Sequence, residues 1–152
     1  MSVLSHRSSK FSRSARPSVT WLIAFFLTFS LLLIRSWPRI QHPEVWAEDG
    51  AYFIPYALSV GWAGLLEPYQ GYYFFLQRAL IQWVTNFTSP YSWPLNLMLS
   101  YIAVQAAIYA SLTSPRLEWI FPKLWVRFAL GILLCLAPGL NEMVGNMANL
   151  NW

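Results

Sequence analysis

Carboxylates are scarce in this chain of 152 residues: six Asp and Glu stand against ten Lys and Arg, and charged residues make up only 11%. An ordinary soluble domain carries about a quarter charged residues, so a fully solvated globule is excluded at the outset. There is a single cysteine, Cys135. It has no partner for an intramolecular disulfide, and its place inside an apolar run reads as packing. The two histidines, His6 and His42, lie far apart, and no spaced Cys/His set argues for a zinc site. No glycine loop of the phosphate-binding kind is present, nor any Ser, His, Asp order that would suggest a nucleophilic triad.

What is abundant is apolar and aromatic. Hydrophobic residues reach 57% and there are nine Trp, the composition of a membrane protein with aromatic anchors at the lipid–water boundary. The net charge of +4 gathers at the amino terminus, where Arg7, Lys10, Arg13 and Arg16 occur without an acid. An apolar run follows at once, so this segment reads as a cytoplasmic retention signal, and nucleic acid is not an expected partner.

The pattern predicts an all-α integral membrane fold of three transmembrane helices, with two interfacial amphipathic helices in a long outward loop. A basic cytoplasmic tail covers 1–18 and a first span 19–36. Trp21 and Trp37 bracket that span, about 24 Å apart along a helix. The run is long for a signal peptide and no small-x-small site follows, which favours an uncleaved anchor. An extracytoplasmic loop covers 37–91, with amphipathic helices at about 48–60 and 71–87. A second span covers 92–113, with Pro94 in its first turn and small residues in its second half. A cytoplasmic loop over 114–123 leads to a third span, 124–140, where Arg127 near the start is expected to snorkel. A polar outward segment, 141–152, ends the sequence. Three spans put both basic segments on the cytoplasmic side, with the amino terminus inside. Counting 71–87 as a further span would break that balance.

In the 71–87 helix, Gln77, Arg78, Gln82 and Thr85 fall on one side of the wheel. In the 48–60 helix, Glu48, Asp49, Tyr52, Tyr56 and Ser59 share a face, and Pro55 is expected to disturb the helix interior. The adjacent acids of Trp46-Ala47-Glu48-Asp49-Gly50 are the most informative feature. Two neighbouring carboxylates near a bilayer repel each other and resist desolvation, so they either serve a function or sit in solvent with Asp49 as a helix cap. Near the carboxy end, Glu142, Asn146 and Asn149 follow i, i+4, i+7 spacing and would line one helix face able to hold sugar hydroxyls or a metal. Asn86-Phe87-Thr88 fits a glycosylation acceptor, a pattern common by chance.

This order of elements resembles the amino-terminal part of the GT-C class of integral-membrane glycosyltransferases. WAEDGAYF looks like the acidic motif of their first outward loop, and EPYQGYYFFLQRALIQW like the segment that follows it. PGLNEMVGNMANLNW resembles a polar segment after a later span in bacterial members. The resemblance implies a transferase of the bacterial cytoplasmic membrane that uses a polyprenyl-phosphate sugar donor. It implies that Glu48 or Asp49 acts as general base or holds a divalent ion (Mg or Mn, with Asp49 as the ligand). It assigns Arg78 to the donor phosphate, and Glu142, Asn146 and Asn149 to substrate binding. Tyr69-Gln70 stands where the family often has a cation. Three spans offer little wall for a lipid-linked donor, so the reading expects a partner subunit or further carboxy-terminal spans, with little activity from these residues alone. The alternatives are a non-catalytic subunit or scaffold of an envelope assembly, and an inactive truncated product.

Overall fold

The computed structural model describes residues 17–46 and 48–138. The described chain is mostly helical, with α1 (Pro17–Arg35), α2 (Trp37–Gln41), α3 (Ile54–Val60), α4 (Phe75–Phe87), α5 (Trp93–Ala110) and α6 (Leu124–Leu136). Two helical segments, Ser18–Arg35 and Pro90–Thr113, are long and apolar enough to cross a membrane. The described part of α6 has 13 residues, about 20 Å of helix against a hydrocarbon core of about 30 Å. The third span expected over 124–140 is therefore described only as far as Pro138.

Helices α1 and α5 run antiparallel in close register. Trp21 Nε1 donates to Ser111 Oγ at 3.4 Å near one end, and Thr28 Oγ1 reaches Ala106 O at 3.3 Å in the middle. Towards the other end Leu32 packs with Met98 and Ile102, in a core that also holds Ala106 and Cys135. Ala106 and Ala110, two of the small residues expected to permit close approach, are fully buried. Helix α6 lies parallel to α1, because Arg35 Nη2 at the end of α1 donates to Ala137 O, just past α6, at 2.9 Å. That bond satisfies one of the carbonyls a helix end leaves without an intrahelical partner.

Arg127 differs from its expected role. It is buried rather than snorkelling, and its Nη1 donates to Ser114 O at 2.7 Å, beyond the end of α5. A guanidinium there does for α5 what Arg35 does for α6.

The segment between α2 and α5 forms a second layer. A π-helical turn, Asp49–Phe53, leads into α3, with Pro55 in the first turn of α3. The wide turn is how the chain accommodates the proline that the sequence marked as a disturbance, since proline in a first turn removes no helical bond. Gly61 ends α3 with φ 66°, and a 3-10 stretch, Gly61–Leu66, follows. The expected helix start at Gly71 is replaced by a hairpin. Strands β1 (Pro68–Tyr69) and β2 (Tyr72–Tyr73) pair antiparallel around Gln70-Gly71. Both turn residues have positive φ, 50° and 85°, as the tightest hairpin turns require. Helix α4 then packs on α3 and α5 through Phe53, Ile54, Ala57, Ile81, Val84, Leu97 and Tyr101, a core separate from that of the bundle.

Candidate functional site

The two acids part company. Glu48 is exposed, whereas Asp49 is 3% exposed and lies on the inner side of its turn with Phe53. Neither caps a helix: no side-chain cap bond forms at Glu48, and α3 starts after Phe53. Instead Gln77 Nε2, from α4, donates to Asp49 Oδ1 at 2.9 Å, across 28 positions of sequence. Gln77 is itself 1% exposed. Of the face expected to unite Glu48, Asp49, Tyr52, Tyr56 and Ser59, Asp49 and Tyr56 both meet α4, at Gln77 and Arg78, while Glu48 is exposed.

The polar side of α4 faces inward. Gln77, Arg78, Gln82 and Thr85 are all buried, while Phe75, Leu76, Trp83 and Phe87 are exposed. The reason lies in the backbone opposite. The end of α3 and the 3-10 stretch present carbonyls there, and a buried carbonyl can take a side-chain hydrogen bond beside its backbone one. Arg78 Nη1 donates to Gly64 O at 3.0 Å. The Gln82 amide, oriented to suit its surroundings, donates to Ala57 O at 3.1 Å and Gly61 O at 3.2 Å. The polar stripe is a seam that fastens residues 49–64 to α4.

Arg78 is 5% exposed, and its guanidinium lies 4.6 Å from the ring centre of Tyr56 and 5.6 Å from that of Phe53. Gly64 permits this stack, since a Cβ there would stand 2.5 Å from Tyr56 Cε1. The Tyr56 hydroxyl donates to a carboxylate oxygen of Glu67. That bond raises the Tyr56 pKa above its ordinary value, helped by desolvation and the Glu67 charge, while the Arg78 cation opposes the rise. Tyr69 of the hairpin closes the aromatic group, 4.2 Å from Tyr52 and 5.1 Å from Phe53 between ring centres. Arg78 thus holds the 3-10 stretch through Nη1, while its Nε and Nη2 have no hydrogen-bond partner.

A cavity of about 450 Å³ beside α2 is lined by Arg39, His42, Glu44, Val45, Trp46 and Met98, and by neither Glu48 nor Asp49. Its volume suits a small ligand. Trp46 links its wall to the acid turn, since Gly50 N donates to Trp46 O at 2.8 Å. Arg39 stands 5.6 Å from the Trp46 ring centre. Sequence reasoning missed Gln77, Tyr56 and Glu67 as partners in this region, and missed Arg39 and His42 as cavity residues.

Glu142, Asn146 and Asn149 lie outside the described residues. Among the described residues no three His, Cys, Asp or Glu side chains form a group able to hold a metal. Asp49 by itself is a poor fit to Mg²⁺ or Mn²⁺, because one oxygen already accepts an amide hydrogen and such ions take about six oxygen ligands. In comparisons with known proteins, no family model, no curated protein and no solved structure matches this chain.

Proposed function

We propose that this protein serves as a membrane glycosyltransferase, moving a sugar from a polyprenyl-phosphate donor to an acceptor hydroxyl. In this reading α6 is the third span, and the acid turn faces the outer side of the bacterial cytoplasmic membrane with the amino terminus inside. The observation that carries the proposal is the Asp49–Gln77 bond at 2.9 Å. A solvated loop acid has no need of a buried amide from another helix, whereas a proton acceptor must be held in one orientation. The acceptor oxygen attacks the anomeric carbon, its proton passes to Asp49, and the bond to the donor phosphate breaks with the electron pair leaving on phosphate. Arg39 and His42, which line the nearby cavity, and Arg78, with two guanidinium nitrogens lacking hydrogen-bond partners, are the basic groups on hand for the leaving charge. The proton step needs no metal ion.

A second reading draws on the 3% exposure of Asp49. The seam would then be structural, in a non-catalytic envelope subunit. Asp49→Asn in the native protein separates the two. The transferase reading expects normal membrane levels with transfer reduced on the order of 10²- to 10⁴-fold, the usual contribution of a general base. Glu48→Gln, at the exposed acid, is expected to cost far less. Unchanged glycans at equal protein levels in Asp49→Asn would overturn the proposal.

A further inference from the structure

Two openings lie next to each other in sequence where α1 ends. The first is a groove of about 440 Å³ lined by Ser30, Leu33, Ile34 and Trp37. These residues follow i, i+3, i+4, i+7 spacing, so they form one stripe along the last turns of α1 and the start of α2. The stripe carries no charge, and Ile34 on it is 71% exposed. The second is the cavity of about 450 Å³, which begins at Pro38, the residue after Trp37. Its wall holds groups of both kinds, basic Arg39 and His42 and acidic Glu44.

The opposite charges of this wall do not close on each other: among the described residues Arg39 and Glu44 form no salt bridge. The Arg39 guanidinium is held over the Trp46 ring, whose centre is 5.6 Å away. A cavity that keeps a guanidinium and a carboxylate apart is matched by a ligand carrying both signs. The height of the cavity follows from its packing. Met98 lines it and packs with Leu32 of α1, and Ile40 of α2 packs on the same core, so α2 folds over the end of the bundle. Where α1 crosses a bilayer, that end lies at the headgroups, the level that suits an exposed Trp such as Trp37. The groove then runs from the headgroups toward the hydrocarbon.

We infer that the cavity and the groove form one binding site for a membrane phospholipid with a primary ammonium headgroup, of the phosphatidylethanolamine kind. Arg39, with His42 beside it, takes the phosphate. Glu44 takes the ammonium, and one acyl chain lies along the groove. Both headgroup contacts are charge-assisted, the stronger class of hydrogen bond. Glu44 supplies the selectivity. It repels a lipid that carries phosphate alone, and a quaternary ammonium has no N–H to donate to it. The groove supplies apolar contact without choosing between headgroups. The inference stands whether or not the protein transfers sugar. With Arg39 on a resident lipid, the transferase reading is left with Arg78 for the leaving charge, through its two nitrogens without partners.

The test is native mass spectrometry of the full chain in mild detergent. Phosphatidylethanolamine, phosphatidylcholine and phosphatidylglycerol with the same acyl chains are added at equal concentration. The expected result is that phosphatidylethanolamine is retained several-fold more than either of the others. Glu44→Gln, at an exposed position, is expected to bring phosphatidylethanolamine down to the level of phosphatidylglycerol. Arg39→Gln is expected to lower retention of all three. Equal retention of phosphatidylglycerol by the parent protein would show a site for phosphate alone, as a polyprenyl-phosphate donor needs, and would overturn the inference. A preference for phosphatidylethanolamine that survives Glu44→Gln would put the lipid elsewhere and overturn it too. So would release of the lipid by an equal concentration of soluble phosphoethanolamine, which would make the ligand a soluble zwitterion with nothing in the groove. Should Arg39→Gln fail to insert, Glu44→Gln decides the matter alone.

Discussion

The α1–α5–α6 bundle and the α3–α4 layer are built from the same kinds of residue with opposite insides. In the bundle, apolar side chains fill the core, and polar groups such as buried Thr28 and Arg127 and half-buried Arg35 serve main-chain carbonyls inside helices or at their ends. In the layer, the face turned inward is half polar and the face turned outward is apolar. The difference traces to the backbone. Regular helices satisfy their own main chain and can be packed with methyl groups. The end of α3 and the 3-10 stretch after it offer carbonyls to the helix that covers them, and that helix turns Arg78 and Gln82 inward to meet them. The polarity of α4 is dictated by the segment it covers more than by the solvent it meets.

The sharpest way to break this contrast is to delete apolar volume from the bundle. Leu32→Ala empties a fully buried position between α1 and α5. It is expected to destabilise by about 2–5 kcal/mol, as for other core Leu truncations. A fall in thermal midpoint in detergent, with the proposed sugar transfer retained below that midpoint, fits two cores that pack independently. Equal loss of both at every temperature would join them into one.

A smaller effect probes the seam. Gln82→Leu keeps the size of the side chain and raises its hydrophobicity. On a water-facing polar side it would be nearly neutral. Buried against α3 it removes the amide hydrogen bonds to Ala57 O and Gly61 O, a cost of about 1 kcal/mol for each bond lost. A thermal midpoint unchanged or raised by Gln82→Leu in detergent would contradict the inward orientation.

The sequence showed the bundle far better than the layer. An uncharged, mostly apolar run between Arg16 and Arg35 reads as a helix, and α1 closely follows it. Pro94 and the Trp93 start of α5 were equally plain. The wheel of α4 correctly separated polar from apolar residues, yet it could not say which side faced the protein, because periodicity records a difference between faces and not their surroundings. The missing signal was a negative one: the apolar side of that helix carries no Lys, Arg, Asp or Glu to meet water. Asp49 stood out by sequence alone. Its partner Gln77 did not, since an amide 28 positions away leaves no spacing pattern. The π turn was hidden as well, and with it the separation of Glu48 from Asp49.

The mildest prediction concerns the rim of the layer, where the seam meets exposed charge. Tyr56 donates to Glu67 while its ring carries the Arg78 guanidinium. The bond to Glu67 is the larger influence and holds the phenol pKa above its ordinary value of 10.0. The folded state thus favours the neutral phenol. Its contribution to stability is fully present below the unfolded pKa and is lost as pH rises through the folded one. Glu67→Gln removes the negative charge and leaves the cation, so Tyr56 should titrate at lower pH than in the parent protein. Tyrosinate absorbance, taken as the difference from a Tyr56→Phe control, reads this directly. A Tyr56 titration unmoved by Glu67→Gln would mean that Arg78, rather than Glu67, governs the ring, and that the seam's electrostatics reach to its edge.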